Sequence, residues 1–530
     1  MDAPAEQSTD ATAVTRGASP GSRRAPLRVF LLAALVYAIF AYGGVRSPDS
    51  EVAFRTAEAL ALRGEPGVDR PLETWPTFAG FQRGRDGRFY SVFGPAEPYA
   101  MSPFLPIATR INETGWYRAL GEHVPISHYV GKSMMAIQTR TPPVDFAPHA
   151  LRLLMSPFNV VVSALGAAVF FLLARALSGS PRGAGYATLA FAFGSLALPY
   201  SGTFCNEPLT TLFVLLCAWF LVDPAFGAAP DDRSRRTGIF GAGLFAGLAV
   251  ASHITSVLFL PFLGLFVLSP MLGKKRALRS VVADAACLVA GAALIGSLMA
   301  LYNHARFGSF LETGRSTGSM HTDEIQFVGP WHGLHYLLTS AGKGMLWHRP
   351  EVLLGLLAWP AFHRRHRAFS FMTGAALVFR VLFLASFFWK CGFCLGPRYL
   401  VSAAPLLLLP IATWAARLVE TRDHRRLAAL AVALVACTAQ QLFFALGEPF
   451  IFQHRVRNAY VMQRINPFHD DAMFLDWHHT PVLSLLEGDR GPFLLKFVPL
   501  GNYALWAACS ALAAAFVALW HLRGRAASDA

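Results

Sequence analysis

Three acids and three bases define the chemistry open to this chain. Asp49 and Glu51 stand in RSPDSEVAFRTAEALALRG, directly after the first apolar run. A carboxylate at the edge of a bilayer can act as general base toward a hydroxyl or an amine. The same two residues also suit a helix start, Asp49 as cap and Glu51 in the first turn. Glu207 lies in PYSGTFCNEPL, at the outer start of a span. A carboxylate there needs water or a partner, although with Pro208 beside it the pair also reads as a helix beginning. Arg306, in LYNHARFGSFLETGR, follows a span, and Arg398, in WKCGFCLGPRYL, precedes one. A guanidinium at headgroup depth grips phosphate through paired hydrogen bonds, or else anchors its helix at the interface. Glycine and proline before Arg398 indicate a shaped turn. Lys343, in TSAGKGMLWHRP, has small neighbours that let the backbone approach a ligand, and His348 and Arg349 adjoin it.

The elements that must position these groups are membrane helices. Of 530 residues, 54% are hydrophobic and only 15% charged, and mean hydropathy is +0.41. An ordinary soluble domain carries about 25% charge. Apolar runs long enough to cross a bilayer fall at 27–45, 151–177, 184–201, 208–223, 238–252, 254–270, 281–302, 350–362, 368–389, 399–418, 426–447 and 497–521. The expected fold is therefore an all-α polytopic membrane protein with about 12 transmembrane helices. Ser252 and His253 break a run too long for one crossing and predict a hairpin there. The span at 350–362 is short and holds Pro360.

The net charge of +14 would suggest nucleic acid in a soluble protein. Here the clusters sit at span ends: Arg23/Arg24/Arg28, Arg182, Arg233/Arg235/Arg236, Lys274/Lys275/Arg276/Arg279, Arg364/Arg365/Arg367, Arg422/Arg425/Arg426 and Arg523/Arg525. All fall on one face, so they report orientation, with both termini cytoplasmic and no nucleic-acid partner. Residues 1–25 read as a disordered cytoplasmic tail, 26–447 as the transmembrane catalytic module, 448–496 as an extracytoplasmic loop, and 497–530 as a last helix and tail. The outer face receives the long loop 46–150, the segment 303–349 and the turns 202–207 and 390–398. Loops of that length are usually functional or disordered, and the first is rich in aromatics, among them Trp75, Phe89, Tyr90 and Trp116. Residues 50–63 predict an amphipathic helix lying at the membrane surface.

Seven cysteines give no disulfide framework. Cys391 and Cys394 form one C-x-x-C without a second ligand pair, so they read as small turn residues before zinc ligands. His304, His332 and His335 lack metal-ligand spacing, so no metal site is read. Asn112 heads a glycosylation sequon, a weak pattern. No phosphate-binding Gly-Lys-Ser/Thr loop and no dinucleotide fingerprint occur. An activated donor must then arrive through the membrane.

Four stretches in order carry a family likeness: SPDSEVAFRTAEALALRG; DGRFYSVFGPAEPYAMSPF; LYNHARFGSFLETG with GLHYLLTSAGKGMLWHRP; and FFWKCGFCLGPRYLVSAAPLLLLP. Together they resemble the GT-C superfamily of glycosyltransferases, which use polyprenyl-phosphate sugars. Within it the likeness is to bacterial relatives of protein O-mannosyltransferases and of the lipid A aminoarabinose transferase. The resemblance implies an inverting transfer, with or without a divalent metal, on the extracytoplasmic face of a bacterial inner membrane. The donor is a polyprenyl-phosphate-linked sugar, and the acceptor a glycan, lipid or protein. It implies Asp49 as preferred base and Glu51 as reserve. Arg398, Arg306 and Lys343 would bind the donor phosphate, and Glu207, Tyr90 and His348 the sugar or acceptor. The sequence departs from the family where Ser50 separates the two acids, and where Lys390-Cys391-Gly392-Phe393-Cys394 replaces a stretch usually rich in tryptophan and glycine. A second reading is a transporter or flippase of a lipid-linked glycan, and a third a non-catalytic scaffold. Against transport, the chain shows no internal repeat, and apart from Arg380 and His253 few ionisable residues lie inside spans.

Overall fold

The computed structural model describes residues 20–41, 48–69, 80–114, 151–152, 154–223, 231–272, 276–315, 327, 329–387, 394–446, 463, 472–477 and 480. Helix α1 (Pro20–Phe40) takes up the first apolar run as far as Phe40 and begins inside the stretch expected as a tail. The outer segment then folds as α2 (Pro48–Arg63), a hairpin of β1 (Phe81–Arg83) and β2 (Phe89–Ser91), α3 (Ala96–Met101) and α4 (Leu105–Glu113). After these come α5 (Pro157–Ser178), α6 (Pro181–Ala192), the short α7 (Ala197–Ser201), α8 (Glu207–Val222) and α9 (Asp232–Ser252). They are followed by α10 (Leu260–Leu272), α11 (Leu278–Phe307), α12 (Pro330–Thr339), α13 (Met345–His348), α14 (Glu351–Arg365), α15 (Arg367–Phe387), α16 (Pro405–Glu420) and α17 (His424–Leu446).

Five helical segments, 157–178, 254–271, 278–307, 367–387 and 424–445, are long and apolar enough to cross a membrane, and α8 is a shorter apolar helix. The chain is a multi-pass membrane protein. Helices also stand at the other expected spans within the described residues, but not all as continuous rods. The run at 184–201 is interrupted between Ala192 and Ala197. The long run breaks at His253, as its polar pair predicts: α9 ends at Ser252, and a 3-10 turn (Ile254–Phe259) precedes α10. The span at 497–521 and most of the loop 448–496 lie outside the described residues.

The core brings α1, α5, α6, α8, α9 and α16 together through Tyr37, Phe170, Phe171, Phe191, Leu215 and Leu409. Helices α9 and α11 approach closely because glycines face each other's backbone. A Cβ on Gly243 would stand 2.1 Å from the Leu288 carbonyl oxygen, and one on Gly291 2.2 Å from that of Phe240. Such small-residue contacts drive association where lipid removes the hydrophobic force between helices. On its other side α11 exposes Val282, Val289, Leu294, Leu298 and Leu301, an apolar face suited to lipid. Its 30 residues span about 45 Å, against a hydrocarbon core of about 30 Å. One end therefore projects beyond the apolar layer.

That end carries Arg306 to the hairpin. Two strands alone are marginally stable in water. Here Arg306 Nη1 donates to the Ser91 carbonyl, and the Arg306 carbonyl accepts from Arg85 N at 2.9 Å. The guanidinium lies 3.9 Å from the Tyr302 ring centroid. The hairpin is the one departure from all-α among the described residues, and a short one. Helix α2 buries one side, with Glu51, Val52, Phe54, Thr56 and Ala57 enclosed, while Leu62 and Arg63 stay exposed and Arg55 partly so. The elements α3 and α4 that follow in the same outer segment pack against it.

Candidate functional site

Residues two apart on a helix do not face one another. Ser50 therefore sends Asp49 and Glu51 to different partners, although both fall in the first turn of α2. Asp49 Oδ2 accepts from Arg398 Nη1 at 2.8 Å. Arg398 Nε donates to Glu207 Oε1 at the start of α8, and its Nη1 also reaches Cys394 Sγ at 3.5 Å. This joins the acid at the start of α8, the first-loop acid and the GPRY arginine in one chain of contacts. The side chains of Arg398 and Glu207 are 8% and 3% exposed, and that of Asp49 is 34% exposed. Asp49 is thus the open end of a buried array.

Glu51 is fully enclosed. Arg152 holds both its oxygens, with Nε to Oε2 at 2.9 Å, and Arg55 Nε adds a bond to Oε1 at 2.9 Å. Burial alone would raise its pKa, but the two guanidiniums outweigh it and hold the carboxyl below the usual range. A group with a depressed folded-state pKa stabilises the fold above its unfolded pKa, about 4.3 for glutamate. That contribution is lost as pH falls through the lower folded value. Removing Arg152 leaves the buried carboxylate with Arg55 as its one guanidinium partner among the described residues. Arg152→Ala is expected to destabilise the protein by about 3–5 kcal/mol, read as a lower midpoint of thermal unfolding in detergent. Glu51→Gln in the same background should recover much of that loss.

The turn bearing Arg398 is fixed by its own carbonyls. Lys343 Nζ donates to the Cys394 carbonyl, Tyr200 Oη to that of Leu395 at 2.9 Å, and Arg380 Nη2 to that of Tyr399 at 2.6 Å. Arg380 also reaches Thr255 Oγ1 at 2.8 Å, tying the turn to the break after α9. Three buried donors from three elements thus set one short backbone segment, and such networks specify a single conformation. Gly396 takes φ 61°, the left-handed region that favours glycine.

The segment before α3 closes the site from the other side. A Cβ on Gly94 would stand 2.2 Å from the Ala251 carbonyl oxygen and 2.5 Å from that of Ser252. Asn206 Nδ2 donates to the same Ser252 carbonyl at 2.9 Å, and the Thr210 and Ser252 hydroxyls lie 2.7 Å apart. The end of α9 therefore ties the start of α8 to the loop. Gly94→Ala must push backbone against backbone. It is expected to cost about 1–3 kcal/mol and to lower activity, measured by thermal unfolding and turnover on one preparation.

The structure brings Asp49, Glu207 and Arg398 together and places the other candidates around them. Lys343 is buried beneath the turn, with its ammonium 5.7 Å from the Phe474 ring centroid. His348 packs against Gly396, stacks on Phe444 and has Nδ1 3.0 Å from the Gly344 carbonyl. Burial lowers its pKa to about 4, so it is neutral at physiological pH. Arg306 and Tyr90 belong to the hairpin instead. Tyr90 Oη donates to Asp86 Oδ2 at 2.7 Å, and its ring meets Phe307 edge-on. Burial and Asp86 push the Tyr90 phenol up to about 12. Cys391 lies outside the described residues. Cys394 is a free, buried turn residue.

Three participants carry little sequence signal. Arg152 and Asn159 lie near the start of the apolar run 151–177, and Glu97 is the lone acid of FGPAEPYAM. A charged residue inside an apolar, proline-rich stretch is the mark that points to Glu97. Glu97 is 5% exposed, and its carboxyl lies beside the Asn159 amide with Glu207, Arg398 and Asp49 in its electrostatic surroundings. Among the described residues no group of three or more His, Cys, Asp or Glu side chains is placed to hold a metal ion. Asp49 and Glu207 do not fit one in this arrangement, because the Arg398 guanidinium occupies the position between them that a cation would take.

No family model and no curated protein matches this chain. It is similar to several solved structures. One is ArnT from Cupriavidus metallidurans bound to undecaprenyl phosphate: TM-score 0.47 and 13% identity, covering 95% of this chain and 79% of that one. Another is the oligosaccharyltransferase of Archaeoglobus fulgidus tethered to an acceptor peptide, with TM-score 0.48 and 15% identity, covering 84% of this chain. A third is the archaeal oligosaccharyltransferase AglB from Archaeoglobus fulgidus in complex with an inhibitory peptide and a dolichol-phosphate, with TM-score 0.42 and 13% identity, covering 83% of this chain. This chain spans 56% of the length of each archaeal structure.

Proposed function

We propose that the protein is a membrane glycosyltransferase that moves a sugar from a polyprenyl-phosphate donor to an extracytoplasmic acceptor. One observation carries the reading. The half-exposed Asp49 is held by a buried arginine that is itself anchored on a second acid. Asp49 accepts the proton of the acceptor hydroxyl or amine as that group attacks the anomeric carbon. The bond from the anomeric carbon to the phosphate oxygen breaks on the opposite face, and configuration inverts. The polyprenyl phosphate leaves with the electron pair and the extra negative charge. Arg398 receives that charge. Its Nη2 has no hydrogen-bond partner among the described residues, while Nε stays on Glu207. Lys343 and Arg380 act through the turn, by keeping the guanidinium in place.

The reading is tested with a panel of radiolabelled polyprenyl-phosphate sugars and cell-envelope extract as acceptor. Label moving to the extract with purified protein supports it. Folded protein that neither binds nor consumes any donor overturns it, and lipid translocation in proteoliposomes then tests the transport reading.

A further inference from the structure

Three tryptophans and a phenylalanine stand exposed at the end of the bundle that holds the Arg398 turn. Trp331 is 82% exposed and Phe327 71%, and Trp347 and Trp477 are about half exposed. The rings of Trp347 and Trp477 meet edge-on with centroids 5.2 Å apart. Apolar surface gathered in this way marks contact with something other than water. Trp347 Nε1 donates to the Thr339 carbonyl at 2.7 Å, which ties the pair to the last residue of α12. Helix α12, PWHGLHYLLT, carries no Asp, Glu, Lys or Arg, and it turns Trp331, His332, His335 and Thr339 outward. Its inner side is locked onto α15. A Cβ on Gly333 would stand 1.9 Å from the Ala385 carbonyl oxygen, and Leu337 packs with Leu384, Ala385 and Leu400.

Helix α15 indicates what covers this surface. It is long and apolar enough to cross a membrane. Residues four apart on a helix share a face, and Phe371, Ala375, Phe379, Phe383 and Phe387 make one such row. Phe371 and Phe379 are exposed and the other three half-buried. The Phe383 and Phe387 centroids lie 5.1 Å apart, and Phe387 meets Phe327 at 5.4 Å. The row thus runs along a membrane-crossing helix and passes into Phe327, just before α12. An exposed aromatic row on such a helix meets lipid. Beyond Phe327 the side chains change from phenylalanine to tryptophan, histidine and threonine. Rings with a polar edge settle where one side is apolar and the other wet, at the headgroup level of a bilayer. We propose that α12, with Phe327, Trp347 and Trp477, is an interfacial anchor seated at the headgroup level of the lipid around α15. The anchor is continuous with the site. Just beyond α12, Lys343 Nζ donates to the Cys394 carbonyl, so the element that meets lipid also holds the backbone leading to Arg398.

The test uses the full chain in phosphatidylcholine vesicles and reads the tryptophan emission of wild type minus that of Trp331→Phe. That difference should lose most of its intensity to lipid brominated just below the headgroup. It should lose less to lipid brominated at the chain ends, and little to iodide in the water. Phe327→Trp supplies a second reporter, and its added emission should follow the same order. Each substitution exchanges one exposed aromatic ring for another, so both proteins should fold, and if one does not, the other decides. Quenching by iodide without quenching by brominated lipid places α12 in water. Quenching by neither places it under a protein surface, such as a second copy of this chain. Strongest quenching from the chain ends places it in the acyl interior. Each of these three results overturns the proposal. None of the readings involves sugar transfer, so the anchor stands or falls separately from the transferase reading.

Discussion

Asp49→Asn is expected to lower sugar transfer by about 10²–10⁴-fold, the range that general-base catalysis contributes, while donor binding survives. The substitution is nearly isosteric. An amide oxygen can still accept from Arg398 Nη1, which Asp49 now meets at 2.8 Å, so the turn and its arginine should stay in place. What disappears is the site that takes the acceptor's proton. Glu51 cannot stand in, since Arg152 and Arg55 occupy its oxygens in a closed pocket. The donor should bind as well as before or better, because one negative charge beside the phosphate is gone. Single-turnover transfer and equilibrium donor binding, measured on one preparation, separate these effects. A folded Asp49→Asn that transfers at the wild-type rate removes the base assignment. A matching loss of binding and transfer would make Asp49 a donor-binding group. Glu51→Gln is the contrast, with its defect in stability and little in the rate of the folded fraction.

The sequence made the membrane class plain because hydropathy is additive along the chain and needs no partner. It also marked the break at His253, where a polar pair interrupts a run too long for one crossing. The interruption between Ala192 and Ala197 was hidden, because that stretch stays apolar while its backbone bends around α7. The acids and the arginine of the site were visible as residue types at span ends. Which of them meet was not, since Asp49 and Arg398 are separated by 349 positions and Glu207 and Arg398 by 191. The spacing of Asp49 and Glu51 did contain their different fates: two residues apart on a helix means two directions. Arg306 was visible by its place beyond a span, but its contact with the hairpin was not, since Ser91 lies 215 positions away. Tyr90 was marked only as one aromatic among many, and its strand partner Gln82 could not be read from helical patterning.

Arg398 carries the other large effect, and its loss has two components that one variant cannot separate. Arg398→Met removes the partner of the buried Glu207 and should cost about 3–5 kcal/mol in stability, enough to threaten folding of a marginal membrane protein. It also removes the group proposed to hold the donor phosphate. A hydrogen bond to a charged group contributes about 1.5–3 kcal/mol, which corresponds to about 10- to 100-fold in affinity. The double variant Arg398→Met/Glu207→Gln separates the two. It strands no charge at Glu207, so its unfolding midpoint should return toward that of wild type. It restores no guanidinium, so donor binding should stay about 10- to 100-fold weaker. Arg398→Lys adds a third point: it keeps the charge but loses the planar fork that reaches Asp49 and Glu207 together, and should bind donor between the two extremes. Wild-type donor affinity in the stable double variant would confine Arg398 to holding the turn and move the phosphate site elsewhere. Stability that returns without affinity assigns the leaving group to this arginine, and Glu207 then serves as the fixed counter-charge that lets a guanidinium remain ionised at a buried position.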